Sequence, residues 1–294
     1  MAANPLAKRY ASLKALASKD LKSDAVSAEL ASIITLSMDF VRKRAKLVKL
    51  ISNVPGKTYA MVALKTGVKT SRPINTALFD FKLTDAELAA VAAGTDIEKI
   101  PRPRLDQLLY TAAMSFCVAT DLIGEGNKKS PGTFFEIYIG HLVALTLKVN
   151  PAKKVVVPTT DAAETDNTLP TDFIFDLGPG KSRIHMPVKT STRERVVQAW
   201  AHQRVLEGML GAGRYKGVLV VLTETNKQKD VSVVEVCLPG QWRAYQMYIA
   251  PMFRVYYLDL PKAYEPLRDQ YPFIQIWPFS RFFSEYEQLG KAGP

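Results

Sequence analysis

Residues Thr171 to Gln203, TDFIFDLGPGKSRIHMPVKTSTRERVVQAWAHQ, constrain the fold more than any other stretch of the chain. Two apolar-rich strand candidates, TDFIFD and RIHMPVK, flank Gly178-Pro179-Gly180, a pattern that reads as a hairpin. Pairing of those strands brings Asp172, on the first, towards Lys189, at the end of the second. A helix candidate follows at once and opens on Arg193, Glu194 and Arg195.

The flanks say what the hairpin packs into. GVLVVLTET (217–225) and VSVVEVCLP (231–239) read as buried strands with NKQKD as the polar turn between them. MFRVYYLDL and FIQIWPF read as two more, with QWRAYQMYI helix-compatible before the first, and VVVP (155–158) adds a short strand. The acids of the polar loop after it, Asp161, Glu164 and Asp166, read as solvated.

Upstream, apolar positions recur at helical spacing over residues 1 to about 50, ending in the cluster Arg42, Lys43, Arg44, Lys46 and Lys49. That cluster suits a DNA backbone or a solvated helix end favoured by the dipole. Val54 to Pro73, bearing Lys57, Lys65, Lys69 and Arg72, reads as a loop or small hairpin, either approaching nucleic acid or merely connecting. Thr84 and Glu87 have capping-box spacing, and helices are expected over Asp106–Ile123 and Thr133–Val149. Glu136 sits early in the last, otherwise apolar helix: a buried carboxylate needing a partner or metal, or a first-turn acid facing water. Together these predict an α/β core (126–294) packed against a mainly helical N-terminal region (1–125) that serves DNA contact or dimerisation.

A length of 294 residues with 47% hydrophobic residues suits one large domain or a core carrying a smaller one. The net charge of +11 favours a polyanionic partner. Cys117 and Cys237 have no metal-ligand neighbours, so neither a disulfide framework nor a zinc site is indicated, and a reducing cytoplasm is expected. The first residues lack the apolar run of a signal peptide, and no stretch reaches membrane-spanning length. Phosphate-loop, dinucleotide-glycine, H-E-x-x-H and G-x-S-x-G patterns are absent.

Hydrolysis of a phosphodiester needs an activated water, a divalent cation and positive charge near the developing oxyanion. Asp172 and Glu136 offer hard oxygen ligands suited to Mg2+, and Lys189 offers the positive group. The fork of arginine matches O6 and N7 of guanine, and glutamate accepts from cytosine N4, each good pair contributing roughly 1–3 kcal/mol of discrimination. Ser191 and Glu194 also have capping-box spacing, which would leave Arg193 and Arg195 merely solvated.

VKTSTRERVVQAWAHQ resembles the catalytic lysine and recognition helix of type II restriction endonucleases of the PD-(D/E)XK superfamily, in the branch reading CCGG, CCNGG or CCWGG cores. The resemblance covers roughly Pro131 to Gln203. It implies a restriction-endonuclease-like mixed central sheet flanked by helices and a homodimer on double-stranded DNA. It further implies Mg2+ held by Asp172 and Glu136, catalysis with Lys189, and base reading by Arg193, Glu194 and Arg195. Three positions depart from the pattern: Thr171 replaces the motif proline, Pro187 occupies the usual second-acid position, and His202 stands where this branch places the relocated acid. The function this implies is Mg2+-dependent cleavage of a short palindrome leaving 5′ overhangs. The alternatives are a repair or recombination nuclease with the same core, or a DNA-binding protein without nuclease chemistry.

Overall fold

The computed structural model describes residues 5–124, 129–157, 167–193 and 196–291. Helix α1 (Pro5–Ala17) leads to α2 (Asp24–Arg44), whose buried face Val26, Leu30, Ile33, Ile34, Met38 and Val41 has helical spacing. The helix expected to run to about residue 50 stops at Arg44, because the next residues find strand partners. Strand β1 (Ala45–Ser52) pairs antiparallel with β2 (Tyr59–Leu64), Lys46 opposite Ala63 and Lys49 opposite Ala60. Strand β2 pairs in turn with β3 (Ile74–Asn75). Two of the five cations of the basic cluster, Lys46 and Lys49, therefore lie on a sheet.

Helix α3 (Asp85–Ala92) opens on the expected capping box, the Thr84 hydroxyl accepting from the Glu87 amide and the Glu87 carboxylate accepting from the Thr84 amide. Helices α4 (Arg102–Ile123) and α5 (Ser130–Leu147) each carry a proline in the first turn, where its missing N–H costs nothing. The chain continues through β4 (Ala152–Val157), β5 (Asn167–Phe175), β6 (Arg183–Met186), β7 (Val188–Lys189), α6 (Val196–Leu210) and β8 (Tyr215–Val221). Then follow β9 (Thr225–Gln228), β10 (Ser232–Glu235), α7 (Pro239–Tyr248), β11 (Met252–Tyr257), α8 (Glu265–Gln270), β12 (Ile276–Pro278) and α9 (Phe282–Leu289).

Among the described residues a seven-stranded sheet runs β12-β11-β8-β6-β5-β4, with β7 also on β8. The β4-β5-β6 pairs are antiparallel and the remainder parallel. Strand β8 is buried along its whole length, as a parallel strand covered on both faces must be. Its residues alternate between two cores: Val218 and Val220, with Leu222 just after the strand, join the large cluster with the N-terminal helices, whereas Leu219 and Val221 pack with Trp200 of α6 and Trp242 of α7.

A five-stranded sheet, β3-β2-β1-β10-β9, joins N-terminal strands to strands after residue 225. The NKQKD segment, expected to be a turn, supplies β9. The reversal moves to Lys229 and Asp230, both with positive φ (48° and 56°), which gives the mirror-image turn favoured in two-residue hairpins. Lys57 ties this sheet to the end of β11: its buried ammonium donates to Glu235 and Asp259, each at 2.7 Å. No helix among the described residues is long and apolar enough to cross a membrane.

Candidate active site

The predicted hairpin is β5 and β6, with Phe173 opposite Met186. Pro187 then interrupts the strand, and β7 continues on β8 with Lys189 opposite Val221. At this break the Asp172 side chain serves in place of a backbone partner: its Oδ2 accepts from the Val188 amide at 2.8 Å and from Lys189 Nζ at 2.7 Å. Oδ1 has no hydrogen-bond partner among the described residues. The pair is partly exposed, 21% for Asp172 and 26% for Lys189, so both remain within reach of a substrate.

Glu136 is delivered by α5, and a glycine explains how close that helix comes. A Cβ on Gly140, one turn after Glu136, would lie 2.4 Å from Cζ of Phe173, the residue next to Asp172. Only a residue without a side chain lets α5 approach β5 at this point. Glu136 is half-buried and near enough to Asp172 and Lys189 to feel both charges. Burial, followed by the Asp172 carboxylate, pushes its pKa up to about 7, with Lys189 and Lys153 pulling the other way. This half-buried carboxylate beside a second one accepts no hydrogen bond among the described residues.

His202, on α6, borders a cleft of about 230 Å³ with Asp172, Lys189, Thr171, Pro187 and His185. Burial first and Lys189 second lower its pKa, so it is neutral near pH 7. His185 was not singled out by the sequence. Gln203 Nε2 donates to the Tyr215 carbonyl and to Glu207, both at 2.9 Å, so its Oε1 must accept from His185 Nδ1 at 3.1 Å. This fixes the tautomer and leaves His185 Nε2 a bare acceptor, buried without a partner among the described residues, as is Thr171 Oγ1. Burial drives the His185 pKa down to about 4. Glu207 is thus tied to Gln203.

Among the described residues no group of three or more His, Cys, Asp and Glu side chains is arranged to hold a metal. Asp172 and Glu136 are oxygen donors of the kind that suits Mg2+, which keeps several waters and is commonly held by one or two carboxylates.

Beyond Lys189 the chain turns through Ser191–Arg193. The Ser191 hydroxyl, a candidate helix cap, instead donates to Glu224 at 2.9 Å. Arg193 has φ +32° and donates from Nη2 to the Thr225 carbonyl at 3.2 Å. It shares an open groove with Arg72, Thr190, Ser191 and Thr192. Glu194 and Arg195 lie outside the described residues. Arg72, one of the basic residues expected to approach nucleic acid, lies beside the site, and Lys153 of β4 and Glu224 are further charged groups there that nothing in the sequence singles out.

No protein-family model matches the sequence, and neither does any curated protein. Among solved structures, the fold superposes on the type IIP restriction endonuclease Kpn2I with a TM-score of 0.80 at 23% identity, over 98% of this chain and 99% of that one. The protein therefore has the restriction-endonuclease fold, an α/β architecture shared end to end with that enzyme. A complex of the restriction endonuclease PspGI with substrate DNA overlaps 69% of this chain and 79% of its own, at 16% identity and a TM-score of 0.39, too low to define a shared fold.

Proposed function

We propose that the protein is a type II restriction endonuclease that hydrolyses double-stranded DNA at a short palindrome with a CC/GG core. The observation that carries this reading is the convergence of Asp172, Lys189 and Glu136 at the β5–β7 break, within a restriction-endonuclease fold. Asp172 and Glu136 would hold Mg2+, whose chemistry there would be positive charge at the scissile phosphate and a more acidic nearby water. Lys189, held at 2.7 Å by Asp172, sits where it offsets charge developing on the phosphate. The bare Nε2 of His185 and the neutral His202 border the same cleft as hydrogen-bonding groups for water. Arg193, with Glu194 and Arg195, reads the G·C pairs.

A two-fold site requires a homodimer, each protomer reading one half, and the products carry 5′ overhangs. The +11 charge supports the polyanionic substrate. The reading is tested by incubating purified protein with plasmid DNA and Mg2+ and sequencing the ends. Discrete ends at one CC/GG palindrome are expected; DNA bound but never cut, in Mg2+ or Mn2+, would instead identify a binding protein without nuclease chemistry.

A further inference from the structure

Glu224 follows the C-terminal end of β8 and is fully buried. Its carboxylate accepts from Ser191 Oγ at 2.9 Å, from the Thr192 amide at 3.1 Å to both oxygens and from Thr192 Oγ1 at 2.5 Å. From the core side it accepts from Tyr257 Oη at 2.9 Å. All these donors are neutral. A buried carboxylate persists only where donors satisfy its lone pairs, and here most of them come from two consecutive residues between Lys189 and Arg193.

The same strand end therefore sets two positions. Val221 pairs with Lys189 and fixes the lysine, and three residues later Glu224 fixes the turn entering the arginine segment. Arg193 follows with a positive φ that a non-glycine residue adopts only when its surroundings impose it. Its guanidinium rests on the carbonyl of Thr225, the neighbour of Glu224.

We propose that Glu224 is a positioning residue for sequence discrimination. Without touching DNA, it holds Ser191–Arg193 so that Arg193 is presented at a fixed distance from the Asp172–Lys189 pair; this rests on the nuclease reading above. A carboxylate is suited to the task because both oxygens accept at once, whereas an amide would turn an NH2 donor towards the donors of Ser191 or Thr192.

The test compares Glu224→Gln with Tyr257→Phe. Both remove a hydrogen bond from one buried carboxylate network, so a purely structural role lowers Tm in both and leaves selectivity alone. Positioning predicts that Glu224→Gln lowers the ratio of kcat/KM on the mapped site to kcat/KM on single-mismatch sites by about 10- to 100-fold. Tyr257→Phe keeps that ratio within about twofold, since it leaves every bond to the turn intact. Thr192→Val, which deletes the hydroxyl at nearly constant volume, takes the place of Glu224→Gln if that variant does not fold, with a loss in the same direction.

Amide exchange of Thr192 in the DNA-free protein provides a readout independent of cleavage, and should quicken at least about tenfold in Glu224→Gln but not in Tyr257→Phe. A wild-type enzyme that cuts specifically beside a Glu224→Gln variant of equal selectivity overturns this inference and leaves the nuclease reading standing. A wild type that never cuts overturns the nuclease reading, and unchanged Thr192 exchange overturns the positioning by itself.

Discussion

Gly140→Ala isolates the contact that brings Glu136 to the site. The added Cβ would lie 2.4 Å from Phe173 Cζ, 2.7 Å from Cε2 and 3.0 Å from Leu21 Cδ2. An ordinary carbon contact of about 3.5 Å is about 1.1 Å longer than 2.4 Å, so α5 and β5 must separate by about 1 Å or Phe173 must leave its rotamer. Overpacking of this kind costs about 1–3 kcal/mol, against about 1 kcal/mol gained by replacing a mid-helix glycine. The net loss of up to about 2 kcal/mol lowers Tm by a few degrees. A 1 Å displacement of a catalytic group costs on the order of 100-fold in rate. Single-turnover cleavage should therefore slow about 100-fold while DNA affinity holds, and Phe173→Leu in the same chain should restore part of the rate. A Gly140→Ala protein with higher Tm and full rate, as helix propensity alone dictates, would refute the close-packing explanation.

Other perturbations probe separate links. Lys57→Met strips the counter-charge from Glu235 and Asp259, of which Asp259 is 1% exposed, and should cost about 3–5 kcal/mol, read as a lower urea midpoint. His185 has a folded pKa of about 4 against an ordinary 6.5, so the unfolded chain binds the extra proton between these values. Stability is then unaffected above pH 6.5 and falls by about 3 kcal/mol towards pH 4. Relative to wild type, His185→Gln should gain stability across that window, and a pH-independent difference would count against a neutral buried imidazole. Arg193→Ala should keep non-specific binding and lose preference among sites, measured by competition between oligonucleotides.

What the sequence disclosed was local chemistry: Asp172 and Lys189 on a hairpin, the Thr84–Glu87 cap, and the buried run of β8. The placement of Glu136 beside Asp172 depends on Gly140 meeting Phe173, a contact between distant segments with no signature in either one. The expected helix to about residue 50 gives way to β1 for the same reason. Helical spacing of Val41, Ala45 and Val48 is compatible with α2 continuing, and only the partners in β2 and β10 make the segment a strand. Nothing within GVLVVLTET marks Glu224, because its partners Ser191 and Thr192 lie more than thirty residues earlier in the chain.

Cleavage of one duplex carrying the mapped site, under single-turnover conditions with Mg2+, compares the wild type with Lys189→Ala most directly. The site built on Asp172, Lys189 and Glu136 predicts scission of both strands by the wild type, and binding of similar affinity with cleavage reduced at least about 1000-fold in the variant. Equal cleavage by Lys189→Ala would place the chemistry elsewhere in the molecule.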